Sequence, residues 1–261
     1  MDEEPLGLLD FNNTEIAFGY KSDKELKEIN RLFTLMNNPH LVSFASAVTP
    51  MALRLKIPFV KYAIQHTIFK HFVGGENILD TQKVIDLLFK FNTLTILDYG
   101  AESKSSEEDL DNVMQENINA IELAASNNSV PVISTKITGL ADNKLLVDIQ
   151  AGKELGPKEL RDKEKLEERL DNICKRAYDL KVGVMIDAEE SWLQDTIDDM
   201  VDDMMRNYNA GKVIVYNTFQ LYRHDKLEHL MSSYDKAMAG NYKLGAKLVR
   251  GAYMEKERDY A

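Results

Sequence analysis

The chain has 261 residues, a length that accommodates one large domain or two small ones. Asp and Glu number 43 against 32 Lys and Arg, which gives a formal net charge of −11 and a pI of about 5.0. No basic stripe interrupts this acidic balance, so the composition argues against a nucleic-acid-binding protein. Hydrophobic residues make up 44% and charged residues 29%, a globular mixture that argues against a wholly disordered chain.

Residues 1–92 are predicted to form an N-terminal helical arm. Ser22 or Asp23 is a good N-cap for an amphipathic run, and a second run follows Pro39. A third run ends before a pair of glycines, and a fourth begins at Asp80, another good N-cap. We expect the apolar residues of these helices to pack together as the core of the arm.

From residue 93 to residue 261, short apolar runs alternate with polar-faced helical stretches. The five apolar runs, which we interpret as strands, are Leu94–Leu97, Val130–Ile133, Val182–Ile186, Val213–Tyr216 and Ala246–Val249. The four helical stretches between them cover about Glu107–Ala125, Lys158–Leu180, Ser191–Tyr208 and Asp225–Ala239. Alternation at this spacing predicts an α/β fold of parallel strands joined by crossover helices.

Two architectures fit this order of elements, an open doubly wound sheet and a (β/α)8 TIM-like barrel. An open nucleotide-binding sheet should carry a glycine-rich turn after its first strand, whereas residues 98–102 contain a single glycine. Polar, functional-looking residues instead follow every strand, as in a barrel, whose active site is built from the C-terminal ends of several strands. We therefore predict a helical arm (1–92) followed by a barrel catalytic domain (93–261). Because closure needs eight strands, we expect a fragment, a barrel truncated after about five strands.

Cysteine content and hydropathy indicate the cellular compartment of the protein. Cys174 is the only cysteine, which excludes an intramolecular disulfide and suits a reducing compartment. The most apolar stretch, residues 41–60, is too interrupted by polar residues and prolines for a membrane span. The opening Met1–Pro5 is acidic, where a signal or transit peptide would be basic. We expect a cytoplasmic protein, with peripheral membrane association left open because it needs no span.

Lys136 lies at the end of the second predicted strand, where partial desolvation favours an anionic partner. Asp187, at the end of the third strand, is the natural candidate for that partner. Three interpretations fit these residues: an ion pair that closes the barrel mouth, a site for a carboxylate substrate, or a Schiff-base lysine.

Further candidates follow the third and fifth strands. The carboxylates within Asp187–Glu190 could ligate a metal, but no histidine lies close in sequence, and no metal is predicted. Lys247 and Arg250 supply positive charge for a phosphate or an electron-rich ring. Gly251 permits close approach of the backbone to a ligand, and Tyr253 offers a stacking face.

Six segments, one in the arm and five at strand ends, form an ordered set. They are Phe69–Glu76, Leu97–Glu102, Ser134–Leu140, Met185–Glu190, Tyr216–Gln220 and Lys247–Tyr253. In this order they resemble motifs of the proline dehydrogenase family, over a region from about residue 10 to the C-terminus. The similarity is to the monofunctional type, since neither an aldehyde dehydrogenase half nor a DNA-binding module is present.

The resemblance implies a distorted barrel that holds FAD, oxidises L-proline to Δ1-pyrroline-5-carboxylate and passes the electrons to a quinone at a membrane. It implies that Lys136, Asp187 and Tyr253 line the substrate site, with Lys136 facing the proline carboxylate, and that Lys136 and Asp187 also act in catalysis. Lys247 is implied to act in catalysis beside flavin N5, where many bacterial relatives carry Arg. The residues implied to contact the flavin are Ala188, Asn217, Gln220, Lys247, Arg250, Gly251, Ala252 and Tyr253.

The resemblance further implies elements that this sequence does not contain. In the family, paired arginines on the last barrel helix clamp the proline carboxylate, and later strands add flavin contacts. Two alternatives to a flavoenzyme therefore remain, a class I aldolase-like barrel that uses Lys136 as a Schiff-base nucleophile and an inactive partial barrel. The expected partners are L-proline and a quinone, without nucleic acid.

Overall fold

The computed structural model describes residues 12–100 and 106–261 of the chain. The acidic opening Met1–Pro5 lies outside these ranges, as do Ala101 and Glu102 of the first strand-end motif. The chain divides into two compact units with the boundary between Thr93 and Leu94.

The first unit is helical. Its helices are α1 (Thr14–Phe18), α2 (Asp23–Met36), α3 (Pro39–Arg54), α4 (Val60–Ile64), α5 (Lys70–Phe72) and α6 (Gln82–Lys90), with a π-helical segment over Gln65–Phe69. Ser22 begins α2 with a capping box: its hydroxyl accepts from the backbone N–H of Glu25, whose carboxylate accepts from the N–H of Ser22. Pro39 lies in the first turn of α3, where its missing N–H removes no intrahelical hydrogen bond.

Three details of this unit differ from the sequence prediction. Phe59 has a φ of 68°, and the third helical run that follows is interrupted by the π-helical segment. Helix α6 begins after Asp80, because the Asp80 carboxylate accepts a hydrogen bond of 2.7 Å from the Asn77 side chain in the preceding turn. Among residues 12–93 only Ala52 and Ile85 are buried, and Phe33 and Met36 of α2 are exposed, so the helices do not form the predicted apolar core.

The second unit is built on a parallel sheet with the strand order β1-β2-β3-β4-β5. Its strands are β1 (Ile96–Asp98), β2 (Val132–Thr135), β3 (Gly183–Ile186), β4 (Val215–Gln220) and β5 (Ala246–Val249). Neighbours in sequence are neighbours in the sheet, as in a barrel wall, whereas a doubly wound sheet reverses its order at a switch point. The predicted α/β class with five parallel strands is therefore confirmed.

Crossover helices connect these strands, a shorter helix is inserted after β2, and another follows β5. The helices are α7 (Glu107–Ala125), α8 (Asn143–Gln150), α9 (Pro157–Leu180), α10 (Ser191–Tyr208), α11 (Lys226–Gly240) and α12 (Met254–Tyr260). The four long helices agree with the predicted stretches to within a residue or so. Helices α8 and α12, and a 3-10 turn over Ile137–Gly139, were not predicted, because elements this short carry too little hydrophobic periodicity.

The core lies around the three central strands. Ile133 of β2, Val184 of β3 and Val215 of β4 are fully buried, whereas Leu248 of β5 is 56% exposed. Cys174 on α9 is buried, and burial raises the pKa of its thiol, so it is an unreactive packing residue. None of the helices in the described ranges could span a bilayer, since each is too short or too polar.

Candidate active site

A cleft of about 540 Å³ opens where the carboxyl ends of β2 to β5 meet. Because parallel strands end at the same edge, residues far apart in sequence converge there. The lining residues are Lys136, Asp187, Ala188, Thr218, Gln220, Lys247, Val249, Arg250, Gly251, Ala252 and Tyr253. All of the residues predicted to form the site, apart from Asn217, are among them.

Asp187 is the centre of the polar contacts in this cleft. Its Oδ1 atom lies 2.6 Å from Lys247 Nζ and accepts a hydrogen bond of 2.5 Å from Ser134 Oγ. Its Oδ2 atom lies 3.8 Å from Lys136 Nζ, which is also 3.8 Å from Asp98 Oδ2. The ion pair expected between Lys136 and Asp187 is present, and Lys247 approaches the same carboxylate from β5.

Strand pairing explains this convergence. Ser134 of β2 is in register with Met185 of β3, which brings the β2 side chains next to the segment that follows β3. Thr218 of β4 is in register with Lys247 of β5, so Lys247 enters the cleft with one strand, β4, between it and the strand that precedes Asp187. Ser134 and Thr218 could not be predicted as cleft residues, because small hydroxyl residues within apolar runs give no separate signal.

The three carboxylates after β3 point in different directions. Asp187 contacts lysines in the cleft, whereas Glu189 accepts from the Thr138 hydroxyl at 2.5 Å and the Thr138 N–H at 3.1 Å. Glu190 forms an ion pair with Lys256. No cluster of three metal-ligating side chains occurs among residues 12–100 and 106–261.

Glu189 is the most strongly perturbed carboxyl near the cleft. Its side chain is 3% exposed, and burial raises its pKa to about 7, against the lowering effect of the hydrogen bonds from Thr138. Gln220 lies beside it and donates a hydrogen bond of 2.7 Å to the Glu189 carbonyl. The segment after β3 is therefore tied to both β2 and β4.

The structure does not bring Asn217 into this cleft. Successive residues of a strand point to opposite faces, so Thr218 and Gln220 line the cleft while Asn217 faces the helices. There its amide donates a hydrogen bond of 2.9 Å to Asp198 Oδ1, and Asp198 pairs with the buried Lys226 at 2.6 Å. A flavin contact by the Asn217 side chain, as the resemblance implied, does not fit this orientation.

Gly251 is required by packing within the chain. Its φ of +119° is a conformation that side chains rarely adopt, and a Cβ atom there would lie 1.6 Å from the Tyr222 ring. The sequence pattern predicted that this glycine permits approach of a ligand, whereas in the structure it avoids a clash with Tyr222 of the same chain. Tyr253 has the ammonium of Lys256 over its ring, 5.3 Å from the centroid.

The family of the chain follows from its similarity to known proteins. The family model described as proline dehydrogenase matches residues 81–261, well over half of the chain. The chain belongs to the proline dehydrogenase family. Proline dehydrogenase 1, mitochondrial, of Drosophila melanogaster is 34% identical over 196 residues, covering 72% of this chain and 28% of that relative. Hydroxyproline dehydrogenase of Xenopus laevis is 26% identical over 288 residues, covering 97% of this chain and 61% of that relative.

Solved structures of proline utilization A proteins share the fold. Proline utilization A of Bdellovibrio bacteriovorus, inactivated by N-propargylglycine, superposes with a TM-score of 0.64 at 18% identity, over 95% of this chain and 27% of that one. The predicted TIM-like α/β fold class is thereby confirmed. The chain spans 28% to 61% of the length of the two curated relatives named above.

Proposed function

We propose that this chain carries the cleft of an enzyme that oxidises L-proline to Δ1-pyrroline-5-carboxylate with FAD and passes the electrons to a quinone. The observation that carries the proposal is the position of Asp187 between Lys136 and Lys247 in the cleft, in a chain of the proline dehydrogenase family.

The charges of the cleft suit an amino-acid zwitterion. Three cations, Lys136, Lys247 and Arg250, line it together with the carboxylate of Asp187, and Asp98 contacts Lys136 from outside the lining. An ammonium that faces the substrate carboxylate fixes the orientation of the bound molecule, and Lys136 is our candidate for this contact. Tyr253 contributes an aromatic face beside it.

The residues present also fit FAD. Lys247 and Arg250 bring positive charge to a cleft that Gln220 lines with a polar side chain, a donor set suited to an electron-rich ring. The residues proposed to hold the flavin are Ala188, Gln220, Lys247, Arg250, Gly251, Ala252 and Tyr253. When bound, FAD would supply the hydride acceptor that the side chains of this chain cannot supply. Lys247, where many bacterial relatives have Arg, is our candidate for the contact beside N5.

Several properties of the whole protein are proposals of the same kind. We propose a cytoplasmic location, supported by the single buried Cys174, with the quinone met by peripheral association with a membrane.

The aldolase alternative is weaker, because an amine nucleophile is typically activated by an apolar pocket or a second cation. Lys136 lies instead between Asp98 and Asp187.

Flavin binding and proline-dependent reduction test the proposal in two separate steps. The purified chain is incubated with FAD, freed of excess cofactor and examined for protein-bound flavin absorbance. It is then titrated without oxygen with L-proline, with D-proline and trans-4-hydroxy-L-proline as comparisons. We expect bound flavin that L-proline reduces at no useful rate, because this sequence does not contain the paired arginines implied to clamp the proline carboxylate. A chain that binds no flavin would contradict the proposal, as would borohydride trapping of a carbonyl substrate on Lys136.

A further inference from the structure

Helix α12, which follows the cleft-lining segment Arg250–Tyr253, contacts the first residue of α10. The carboxylate of Glu257 accepts two hydrogen bonds from Ser191, one from the backbone N–H at 2.7 Å and one from the hydroxyl at 2.6 Å. Ser191 comes directly after Asp187–Glu190, whose first two residues line the cleft. Glu257 therefore joins two cleft-lining segments that are far apart in sequence.

Further contacts reinforce this connection. Lys256 forms an ion pair with Glu190, and its ammonium also lies over the Tyr253 ring at 5.3 Å from the centroid. The rings of Trp192 and Tyr260 are 4.5 Å apart. The charged and aromatic contacts together bring one face of α12 against the beginning of α10.

The contact also supplies a hydrogen-bond acceptor at the beginning of α10. The first N–H groups of a helix have no intrahelical acceptor, and a carboxylate at that end interacts favourably with the helix dipole. The residue that precedes α10, Glu190, makes no side-chain capping hydrogen bond. Glu257 thus provides, from a distant part of the chain, an acceptor for the first N–H group of α10.

We propose that Glu257 is a positioning residue that holds the segment Arg250–Tyr253 at a fixed distance from Asp187–Glu190 and so sets the width of the cleft. The identity of the ligand in this inference, FAD, rests on the proposed function. The contact between Glu257 and Ser191 itself does not. Loss of the contact should let Arg250–Tyr253 move and should weaken flavin binding, although Glu257 does not line the cleft.

The test uses Glu257→Ala, with Glu255→Ala as the matched control, because Glu255 is exposed on the same helix. Trp192, the only tryptophan of the chain, reports on the contact directly through its fluorescence emission. We expect Glu257→Ala to shift or quench this emission and to lower FAD affinity about tenfold, the effect of a charge-assisted hydrogen bond. Glu255→Ala should change neither quantity.

Glu257→Gln separates hydrogen bonding from charge and guards against a variant that fails to fold. A glutamine can accept from the Ser191 N–H and donate to the Ser191 hydroxyl, so it should restore most of the emission and of the affinity. Unchanged Trp192 emission in Glu257→Ala would overturn the contact. Changed emission with FAD affinity equal to that of Glu255→Ala would overturn the positioning role. Failure of every variant and of the unmodified chain to bind FAD would contradict the proposed function and leave the emission result to decide the contact.

Discussion

The cleft is built by two kinds of strand. Strands β2, β3 and β4 are covered on both faces, and they supply Asp187 and the segments that carry Lys136 and Glu189. Strand β5, which supplies Lys247 and leads to Arg250, pairs only with β4 among the described residues, and its residues are exposed or half-buried. We call β2, β3 and β4, with the segments that follow them, the covered half of the cleft, and β5 with Arg250 the edge half. Asp187 of the covered half contacts Lys247 of the edge half.

The two kinds of strand hold their side chains in place by different interactions. A side chain on a covered strand is held by packing, so its place depends on the core of the unit. A side chain on an edge strand depends on its few polar contacts, such as that between Lys247 and Asp187. The proposed substrate cation, Lys136, follows a covered strand, and the proposed flavin cation, Lys247, lies on the edge strand. Substitutions in the two halves should therefore have different consequences.

The largest expected effect on stability concerns the buried ion pair of Asp198 and Lys226, which Asn217 of β4 contacts on the side away from the cleft. Lys226 is 2% exposed, and its ammonium lies 2.6 Å from Asp198 Oδ2. Asp198→Ala leaves that charge without its carboxylate and should lower the free energy of unfolding by about 3–5 kcal/mol, measured by urea denaturation. Asp203→Ala, an exposed change on the same helix, should stay within about 0.5 kcal/mol. Equal losses in the two variants would show that the pair contributes nothing specific.

A matched pair of truncations compares the two kinds of strand directly. Ile133→Ala removes a fully buried side chain from β2 and should cost about 2–5 kcal/mol of unfolding free energy. Leu248→Ala, on β5, should cost less than about 0.5 kcal/mol because that side chain is largely exposed. Urea denaturation of both variants makes the measurement. A large loss for Leu248→Ala would show that β5 is covered in solution, and the contrast between the strands would fail.

The two lysines that contact Asp187 should separate substrate binding from flavin binding. Lys136→Ala removes the proposed partner of the substrate carboxylate and leaves Asp187 with less compensation. It should weaken L-proline binding by about 2–4 kcal/mol and FAD binding far less. Lys247→Ala should show the opposite preference. Calorimetric titration of each ligand measures both affinities, and equal losses of both ligands in either variant would argue against the assigned role.

The alternation of strands and helices, and therefore the fold class, could be predicted from the sequence. Each covered strand is a short apolar run, and the long helices have clear amphipathic periodicity, as in α7 and α10. The residues at strand ends could be predicted for the same reason, since a parallel sheet collects them at one edge. Lys136 and Asp187 followed from that rule alone.

The direction of individual side chains could not be predicted. A strand covered on both faces shows no alternation of apolar and polar residues, so nothing in the sequence indicated that Asn217 faces Asp198 while Thr218 faces the cleft. Contacts between segments far apart in sequence could not be predicted either. The hydrogen bonds between Glu257 and Ser191 depend on a helix too short to be recognised from its pattern.

The smallest expected effect is a pH dependence within the covered half, from Glu189. Burial raises the pKa of this carboxyl from 4.5 to about 7, so the folded state holds its proton more tightly than the unfolded state does. The stability from this group is fully present below pH 4.5 and is lost as the pH rises through about 7. The loss should be roughly 1–3 kcal/mol.

Glu189→Gln isolates that contribution, because glutamine does not titrate and can still accept from Thr138. His229 must be separated from it: burial lowers the pKa of His229, so its contribution to stability increases as the pH rises. Both proteins keep His229, and subtracting one unfolding free energy from the other removes its effect. Relative to Glu189→Gln, the unmodified chain should lose stability between pH 4.5 and pH 7. A constant difference over this range would mean that Glu189 is ionised throughout and that its surroundings in the folded chain are more polar than the structure indicates.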